Sequence, residues 1–177
     1  MSSHKLAPPE AIEKISGAPG EELRTASSHP ASRRATIALV GHPYLLYDEY
    51  INHRLIHRLK QADNKVLTPE MLTTEELESA IAGLVGRAYW TYEEEVVGAG
   101  GHYLQNGADG VIGIMAFGCG PDSLMMDMVR RQAGRLRAIP FMSLTLEEHT
   151  AEAGVVTRPE AFVDLLARKR RAGNNNQ

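Results

Sequence analysis

The stretch Val111–Ser123, with the sequence VIGIMAFGCGPDS, decides the fold class of this chain. Its first seven residues are almost all apolar, which suits a strand buried on both faces, as strands in a parallel sheet are. The next six include two glycines, a proline at a position where a helix can begin, and an acidic residue for the first helical turn. The stretch therefore predicts a strand, a tight turn and a helix in succession.

The sequence on either side repeats this alternation of strand and helix. Three further apolar runs predict strands at Ala35–Val40, Lys65–Leu67 and Phe141–Leu146. The segments between them carry apolar stripes at helical spacing: Ile51, Leu55, Leu59 and Ala62; Leu124, Met128, Val129 and Leu136; and Ala161, Phe162, Leu165 and Leu166. We therefore expect an α/β fold, a Rossmann-like or flavodoxin-like three-layer sandwich with a four-stranded parallel sheet in the order 2-1-3-4.

Three threonine–glutamate pairs have the spacing of a capping box, in which each side chain accepts a hydrogen bond from the backbone N–H of the other residue. The pairs are Thr73 with Glu76, Thr91 with Glu94, and Thr157 with Glu160. Each pair predicts the start of a helix.

The composition predicts one domain with a tail at each end. Residues 1–34 contain many small, polar and helix-breaking residues and are expected to form a mobile N-terminal arm. Residues 35–172 are expected to form a single α/β domain, since 43% of the 177 residues are hydrophobic. The last residues, 173–177, are expected to fray.

Charge and cysteine usage narrow the class of protein. The formal net charge of −3 and the scattered basic residues argue against nucleic acid as a partner. No stretch resembles a signal peptide or reaches the length of a membrane span, so no membrane partner is expected. The single cysteine excludes an internal disulfide, and a cytoplasmic protein is the expectation.

That cysteine, Cys119, has two interpretations. It follows a predicted buried strand and precedes a predicted helix, and the positive end of a helix dipole favours the thiolate needed for metal binding or nucleophilic attack. Most free cysteines, however, are small, buried and inert. The local sequence supports both interpretations about equally.

In an open parallel sheet, ligands bind beyond the carboxyl ends of the strands, near the point where strand order reverses. The loops predicted to meet there carry the candidate crevice residues His42, Tyr44, Asp48, Gly118, Gly120, Asp122, Ser123, Glu148 and His149. Each also has a purely structural interpretation: a histidine can make a local hydrogen bond, an aspartate can cap a helix, and a glutamate can solvate a turn. Ser123 lacks the Gly-x-Ser-x-Gly setting of a hydrolase, and no dinucleotide-binding or Walker A motif is present.

At these loops the chain resembles a known family. The resemblance lies in four ordered blocks, Ile37–Tyr44, Phe117–Ser123, Glu148–Gly154 and Thr157–Phe162. They are similar to the C-terminal region of proteins related to the 2-hydroxyglutaryl-CoA dehydratase component and acyl-CoA dehydratase activase. The resemblance runs from about Thr36 to about Arg171, and it does not include residues 1–34.

The resemblance implies a redox system. In the dehydratase relatives, a [4Fe-4S] cluster held by cysteine thiolates passes an electron to an acyl-CoA thioester, and an ATP-dependent activator supplies that electron. Cys119 matches a cysteine of the family's block and is the only metal ligand that can be transferred to this chain. Such clusters normally have four thiolate ligands, so a cluster would need a cysteine-rich partner subunit, and none is expected in the isolated chain. At Glu147 the chain departs from the related block, which usually has aspartate there.

Two hypotheses about function follow from the resemblance. In the first, the chain is an accessory or split component of a 2-hydroxyacyl-CoA dehydratase-like iron–sulfur system, a lyase-type component that is not active alone. In the second, it is a non-catalytic binding domain that has lost the cluster. An independent thiol enzyme is a weaker third hypothesis, since no histidine lies near Cys119 in the sequence.

Overall fold

A computed structural model of the protein describes residues 35–85, 90–136, 139–148 and 152–174. The expected N-terminal arm and His149 lie outside these ranges. The four strands are β1 (Thr36–Val40), β2 (Lys65–Leu67), β3 (Gly110–Ala116) and β4 (Phe141–Leu146). They form one sheet in the order β2-β1-β3-β4, and every neighbouring pair is parallel. The predicted strand order is confirmed.

Helices cover both faces of this sheet. They are α1 (Pro43–Tyr47), α2 (Leu55–Gln61), α3 (Thr74–Val85), α4 (Thr91–Glu93), α5 (Ala99–Gln105), α6 (Gly120–Arg135) and α7 (Glu152–Asn174). A π-helical turn, Glu94–Gly98, joins α4 to α5, and a short 3-10 helix spans Pro69–Met71. The expected three-layer α/β fold is therefore confirmed. Helix α7 continues to Asn174, two residues beyond the expected end of the domain.

The continuous apolarity of β1 follows from burial on both faces. Ile37 and Leu39 pack into one core cluster with α1, α2 and α7, whereas Ala38 and Val40 pack into a second cluster with α3, α5 and α6. All four side chains are fully buried. Because alternate side chains of a strand point to opposite faces, a strand between two helical layers needs apolar residues at every position.

The buried stripes of the long helices differ from two of the sequence predictions. Leu124 and Leu165 were expected to face the core, but their side chains are 53% and 50% exposed. Helix α6 instead packs through Met125, Met126 and Val129, one position further along the chain from Leu124. The predicted stripe was wrong at its edges because apolar residues on both sides of the helix left its phase ambiguous.

Only one of the three predicted capping boxes forms. The Thr73 hydroxyl accepts a hydrogen bond from the Glu76 N–H at 3.2 Å, and the Glu76 carboxylate accepts one from the Thr73 N–H at 2.8 Å. Thr91 is already inside α4, whose N-cap makes no side-chain hydrogen bond. Thr157 lies inside α7, where its hydroxyl donates to the Ala153 carbonyl at 2.8 Å. The predictions at Thr91 and Thr157 were therefore wrong.

Candidate functional site

The candidate site begins where β1 ends, next to the end of β3. Gly41 follows β1, and a Cβ atom at this position would lie only 2.6 Å from the backbone oxygen of Ile114. Only glycine fits this close approach of two backbones. The contact delivers His42, the N-cap of α1, to the carboxyl edge of the sheet beside the turn that follows β3.

The turn after β3 carries Cys119. The Cys119 N–H donates a hydrogen bond to the Ala116 carbonyl at 3.3 Å, and Gly118 has a φ of +75°, a conformation that favours glycine. Cys119 is the N-cap of α6 and is half-buried. Its carbonyl accepts hydrogen bonds from the Ser123 N–H at 3.1 Å and the Ser123 hydroxyl at 2.9 Å. The predicted strand, turn and helix are thus present, with the thiol at the helix start.

Asp122 connects this turn to His42. Its side chain is only 1% exposed. Oδ2 accepts a hydrogen bond from the Ala116 N–H at 3.0 Å, and Oδ1 lies 2.7 Å from Nε2 of His42. The distance is that of an ion pair, although the angle is too bent for a well-formed hydrogen bond, and Oδ1 has no other partner in the described part of the chain. The predicted crevice residues His42 and Asp122 are therefore in direct contact.

Two tyrosine rings border the His42 imidazole. The Tyr44 ring is stacked with it at a centroid distance of 5.9 Å, and the Tyr92 ring meets it edge-on at 4.5 Å. Partial burial and the nearby Asp122 and Cys119 groups raise the pKa of Tyr44. The phenol of Tyr44 therefore remains a hydrogen-bond donor across the neutral pH range.

A carboxylate that the sequence analysis missed also interacts with His42. Glu95 lies in the π-helical turn, a geometry that occurs frequently at functional sites. Burial raises its pKa, and the nearby Glu70 raises it further, while interaction with His42 lowers it. Tyr92 and Glu95 were missed because they come from a helical segment rather than from a loop at the end of a strand.

A tyrosine network surrounds Glu70. The Tyr47 hydroxyl donates to the Glu70 carboxylate, and burial followed by this bond raises the pKa of Tyr47. The Tyr103 hydroxyl donates to the Thr68 carbonyl at 2.7 Å, and burial raises its pKa as well. These tyrosines stay protonated and hold the 3-10 segment that carries Glu70 against the helices.

A cavity of about 620 Å³ opens on the other side of Tyr44. Its wall includes Arg54 and Arg58 from the start of α2, Glu148 after β4, and Glu152 at the start of α7. Arg58 Nη2 lies 2.7 Å from Glu152 Oε1. The cavity therefore combines aromatic and aliphatic surface with charges of both signs.

The wall of this cavity depends on Asn52, which the sequence analysis also missed. The buried Asn52 amide donates hydrogen bonds to the carbonyls of Leu45 and Leu46, at 3.0 and 2.7 Å. The next two residues, His53 and Arg54, have φ values of 52° and 59°. Non-glycine residues rarely adopt this conformation, and it costs about 1–2 kcal/mol per residue. The Asn52 bonds help to hold this strained turn in place.

The remaining predicted residues have varied positions. Asp48 Oδ1 accepts hydrogen bonds from the N–H groups of Tyr50 and Ile51, which is a turn-forming role. Gly120 has open space around it, and Glu148 lines the cavity rather than the surroundings of His42. His149 lies outside the described residues.

The donor set of the chain does not fit a [4Fe-4S] cluster. Cys119 is its single cysteine, whereas such a cluster needs four thiolate ligands. Within the described ranges, no group of three or more histidine, cysteine, aspartate or glutamate side chains could hold a metal ion. Any cluster that included Cys119 would need three ligands from elsewhere.

None of the helices in the described ranges is long and apolar enough to cross a lipid bilayer. Lengths alone decide this for most of them, and the 23-residue α7 is rich in charged side chains.

Comparison with protein families identifies one matching segment. Residues 10–72 match the model of the CoA enzyme activase uncharacterised domain (DUF2229). This segment contains β1, His42 and β2, and it agrees with the resemblance to the acyl-CoA dehydratase activase-related family. The match begins at residue 10, so the expectation that residues 1–34 bear no resemblance to the family was wrong. It covers less than half of the 177 residues and ends before Cys119. Searches of curated proteins and of solved structures find no significant match.

Proposed function

We propose that this chain is an accessory component of a 2-hydroxyacyl-CoA dehydratase-like redox system, in which Cys119 contributes one thiolate to a [4Fe-4S] cluster completed by a cysteine-rich partner. The family match of residues 10–72 supports a role in a CoA enzyme system. The chain alone supplies one of the four thiolates, so we expect it to be colourless and inactive when purified by itself.

The observation that carries this proposal is the setting of Cys119. The half-buried thiol lies at the carboxyl edge of the sheet, and three exposed apolar side chains come from the elements around it. These are Phe117 in the same turn, Leu124 in the first turns of α6, and Tyr44 in α1, with exposures of 70%, 53% and 53%. Exposed apolar groups of this kind are typical of protein interaction sites. A partner that covered them would bring its own thiolates close to Cys119.

The proposed system also includes an ATP-dependent activator, which the family resemblance implies as the electron source. An acyl-CoA thioester is the proposed ligand of the complete assembly. The chain's own part in this assembly is to supply a thiolate and an apolar docking edge.

The test is anaerobic co-expression with a cysteine-rich relative, followed by analysis of iron and acid-labile sulfide in the purified complex. We expect Cys119→Ser to reduce the iron content and to abolish dehydration of an acyl-CoA. Ser79→Ala, an exposed substitution on α3, serves as the control and should leave both unchanged. Full iron content and full activity in the Cys119→Ser complex would contradict the proposal.

A pair of leucine variants tests the docking edge. Leu124 and Leu165 are about equally exposed, but only Leu124 lies in the first turns of α6 near Cys119. Leu124→Asp should weaken association with the partner, and Leu165→Asp, on α7, should not. Equal effects of the two substitutions would argue against this edge as the interface.

The cavity beside Tyr44 favours a second candidate function, a non-catalytic binding domain. Its volume of about 620 Å³ lies within the usual range of small-molecule sites. Under this alternative, the isolated chain should bind an acyl-CoA in a calorimetric titration, and Arg54→Gln should weaken binding. Cys119→Ser should then have no effect, which separates the two candidates.

A further inference from the structure

The two nitrogen atoms of the His42 imidazole have different surroundings. Nε2 lies 2.7 Å from Asp122 Oδ1, a carboxylate oxygen that is buried and has no other partner in the described part of the chain. Nδ1 makes no capping bond to the first N–H groups of α1, and no other described residue forms a hydrogen bond with it. The imidazole therefore has one nitrogen at a buried carboxylate and one without a bond.

This arrangement selects one tautomer of the neutral imidazole. A buried carboxylate oxygen requires a donor, and Nε2–H is the one donor placed to supply it. Asp122 cannot readily turn away, because its other oxygen accepts the Ala116 N–H. With the proton on Nε2, the lone pair of the neutral ring is on Nδ1. A carboxylate that fixes the tautomer of a histidine in this way is a known element of acid–base sites.

The groups around His42 also restrict the charge of a ligand. The charged side chains that interact with His42 are the carboxylates of Asp122, on α6, and Glu95, on the π-helical turn. Glu70 lies close enough to Glu95 to affect its ionisation. The other neighbours are the neutral phenols of Tyr44 and Tyr92. An anionic group placed here would be repelled, whereas an uncharged hydroxyl group would not.

We propose that His42 Nδ1 accepts a hydrogen bond from the hydroxyl group of an uncharged ligand, and that Asp122 is the positioning residue that keeps Nδ1 free for this bond. The site would distinguish a hydroxyacyl thioester, in which the carboxyl group is masked, from the free hydroxy acid. The choice of a thioester rests on the proposed function. The recognition of an uncharged hydroxyl group rests on the geometry around His42 alone.

The test uses nitrogen NMR of the full chain labelled with ¹⁵N-histidine, without iron or partner. His42→Gln assigns the His42 signals, and His102→Gln, on α5, is the control for general effects of losing a histidine. In the wild-type chain, the neutral His42 ring should carry its proton on Nε2. Asp122→Asn should reduce the population of this tautomer, which a merely structural role for Asp122 would not predict. A neutral His42 ring with its proton on Nδ1 would overturn the proposal.

Three probes then test recognition of the hydroxyl group: the glycolyl thioester of N-acetylcysteamine, the corresponding acetyl thioester, and free glycolate. The glycolyl thioester should shift the His42 Nδ1 signal in a saturable manner. The acetyl thioester, which lacks the hydroxyl group, and glycolate, which is anionic, should not. Asp122→Asn should weaken binding of the glycolyl thioester about fivefold to tenfold, as expected for one hydrogen bond.

The outcomes remain decisive if Asp122→Asn fails to fold, because the tautomer and the three probes are measured on the wild-type chain. Equal shifts from the glycolyl and acetyl thioesters, a larger shift from glycolate, or no shift from any probe would each overturn the proposal. None of these results depends on a cluster. A failure here therefore leaves the proposed role of Cys119 standing, and loss of that role leaves the histidine result standing.

Discussion

Gly41 is the residue on which the position of His42 depends. A Cβ atom there would lie 2.6 Å from the Ile114 backbone oxygen, and a backbone atom cannot yield as a flexible side chain can. We expect Gly41→Ala to destabilise the protein by about 1–3 kcal/mol, the usual range for overpacking. Gly83→Ala is the matched control, because Gly83 in α3 has no neighbour within 4 Å of its added Cβ. It should stabilise the protein by about 0.5–1 kcal/mol. Urea unfolding of both variants checks the prediction, which fails if Gly41→Ala is neutral.

Glu95 predicts a pH dependence of stability. Its pKa in the folded protein is raised above 4.5, mainly by burial, so the folded state binds the proton more tightly than the unfolded state does. Wild-type stability should therefore fall as the pH rises from 4.5 through the raised pKa. Glu95→Gln removes this loss and should gain stability relative to wild type as the pH is raised from 4 to 7.

Thermal unfolding across this pH range measures the effect, with the exposed Glu78→Gln as the control. A stability difference between Glu95→Gln and wild type that stays constant from pH 4 to pH 7 would contradict the assignment of the raised pKa to Glu95.

The residues around His42 differ in how far the sequence could predict them. The apolar run before Cys119 and the Pro121 that follows it predict the strand, turn and helix from local chemistry alone. Tyr92 and Glu95 reach His42 only because the π-helical turn packs beside the carboxyl edge of the sheet. No local pattern marks such a contact, since it depends on tertiary packing.

At the scale of the elements, the capping box of α3 allows a direct test. Thr73→Ala removes the hydroxyl that accepts the Glu76 N–H, so we expect a loss of about 1 kcal/mol in the free energy of unfolding. Thr91→Ala is the control, because the box predicted there does not form, and its effect should stay within about 0.5 kcal/mol. Denaturant titrations of the two variants should differ accordingly. Equal losses would show that the Thr73 box contributes nothing specific.

The three boxes also show why spacing alone predicts helix starts imperfectly. The same threonine–glutamate spacing occurs at Thr73, where the chain enters a helix, and at Thr157, which is already inside α7. In the interior of a helix the N–H groups are bonded to carbonyls of the preceding turn, so the threonine hydroxyl donates to Ala153 instead. The strand predictions were more accurate, because burial on both faces leaves a continuous apolar run that few other structures produce.

For the whole molecule, we expect the fold to be independent of metal. The two core clusters lie on opposite faces of the sheet, and Cys119 belongs to neither. Cys119→Ser should therefore unfold cooperatively, within about 1 kcal/mol of wild type, and a chelator should not change the unfolding midpoint of either protein. Loss of the cooperative transition on substitution or chelation would show that a metal is structural.

The order of the strands has a consequence for how the protein is made in the cell. During translation β1 emerges well before its central partner β3, and at roughly 5–20 residues per second the interval between Thr36 and Gly110 lasts on the order of 4–15 seconds. Throughout this time the fully apolar β1 has only the three-residue β2 with which to pair. Ribosome-bound chains that end before β3 should accordingly be sensitive to protease, and those that include β4 should be resistant. The matched segment 10–72 therefore reaches the chaperones of the cell as a dependent half of a sheet, not as a domain that folds as it is synthesised.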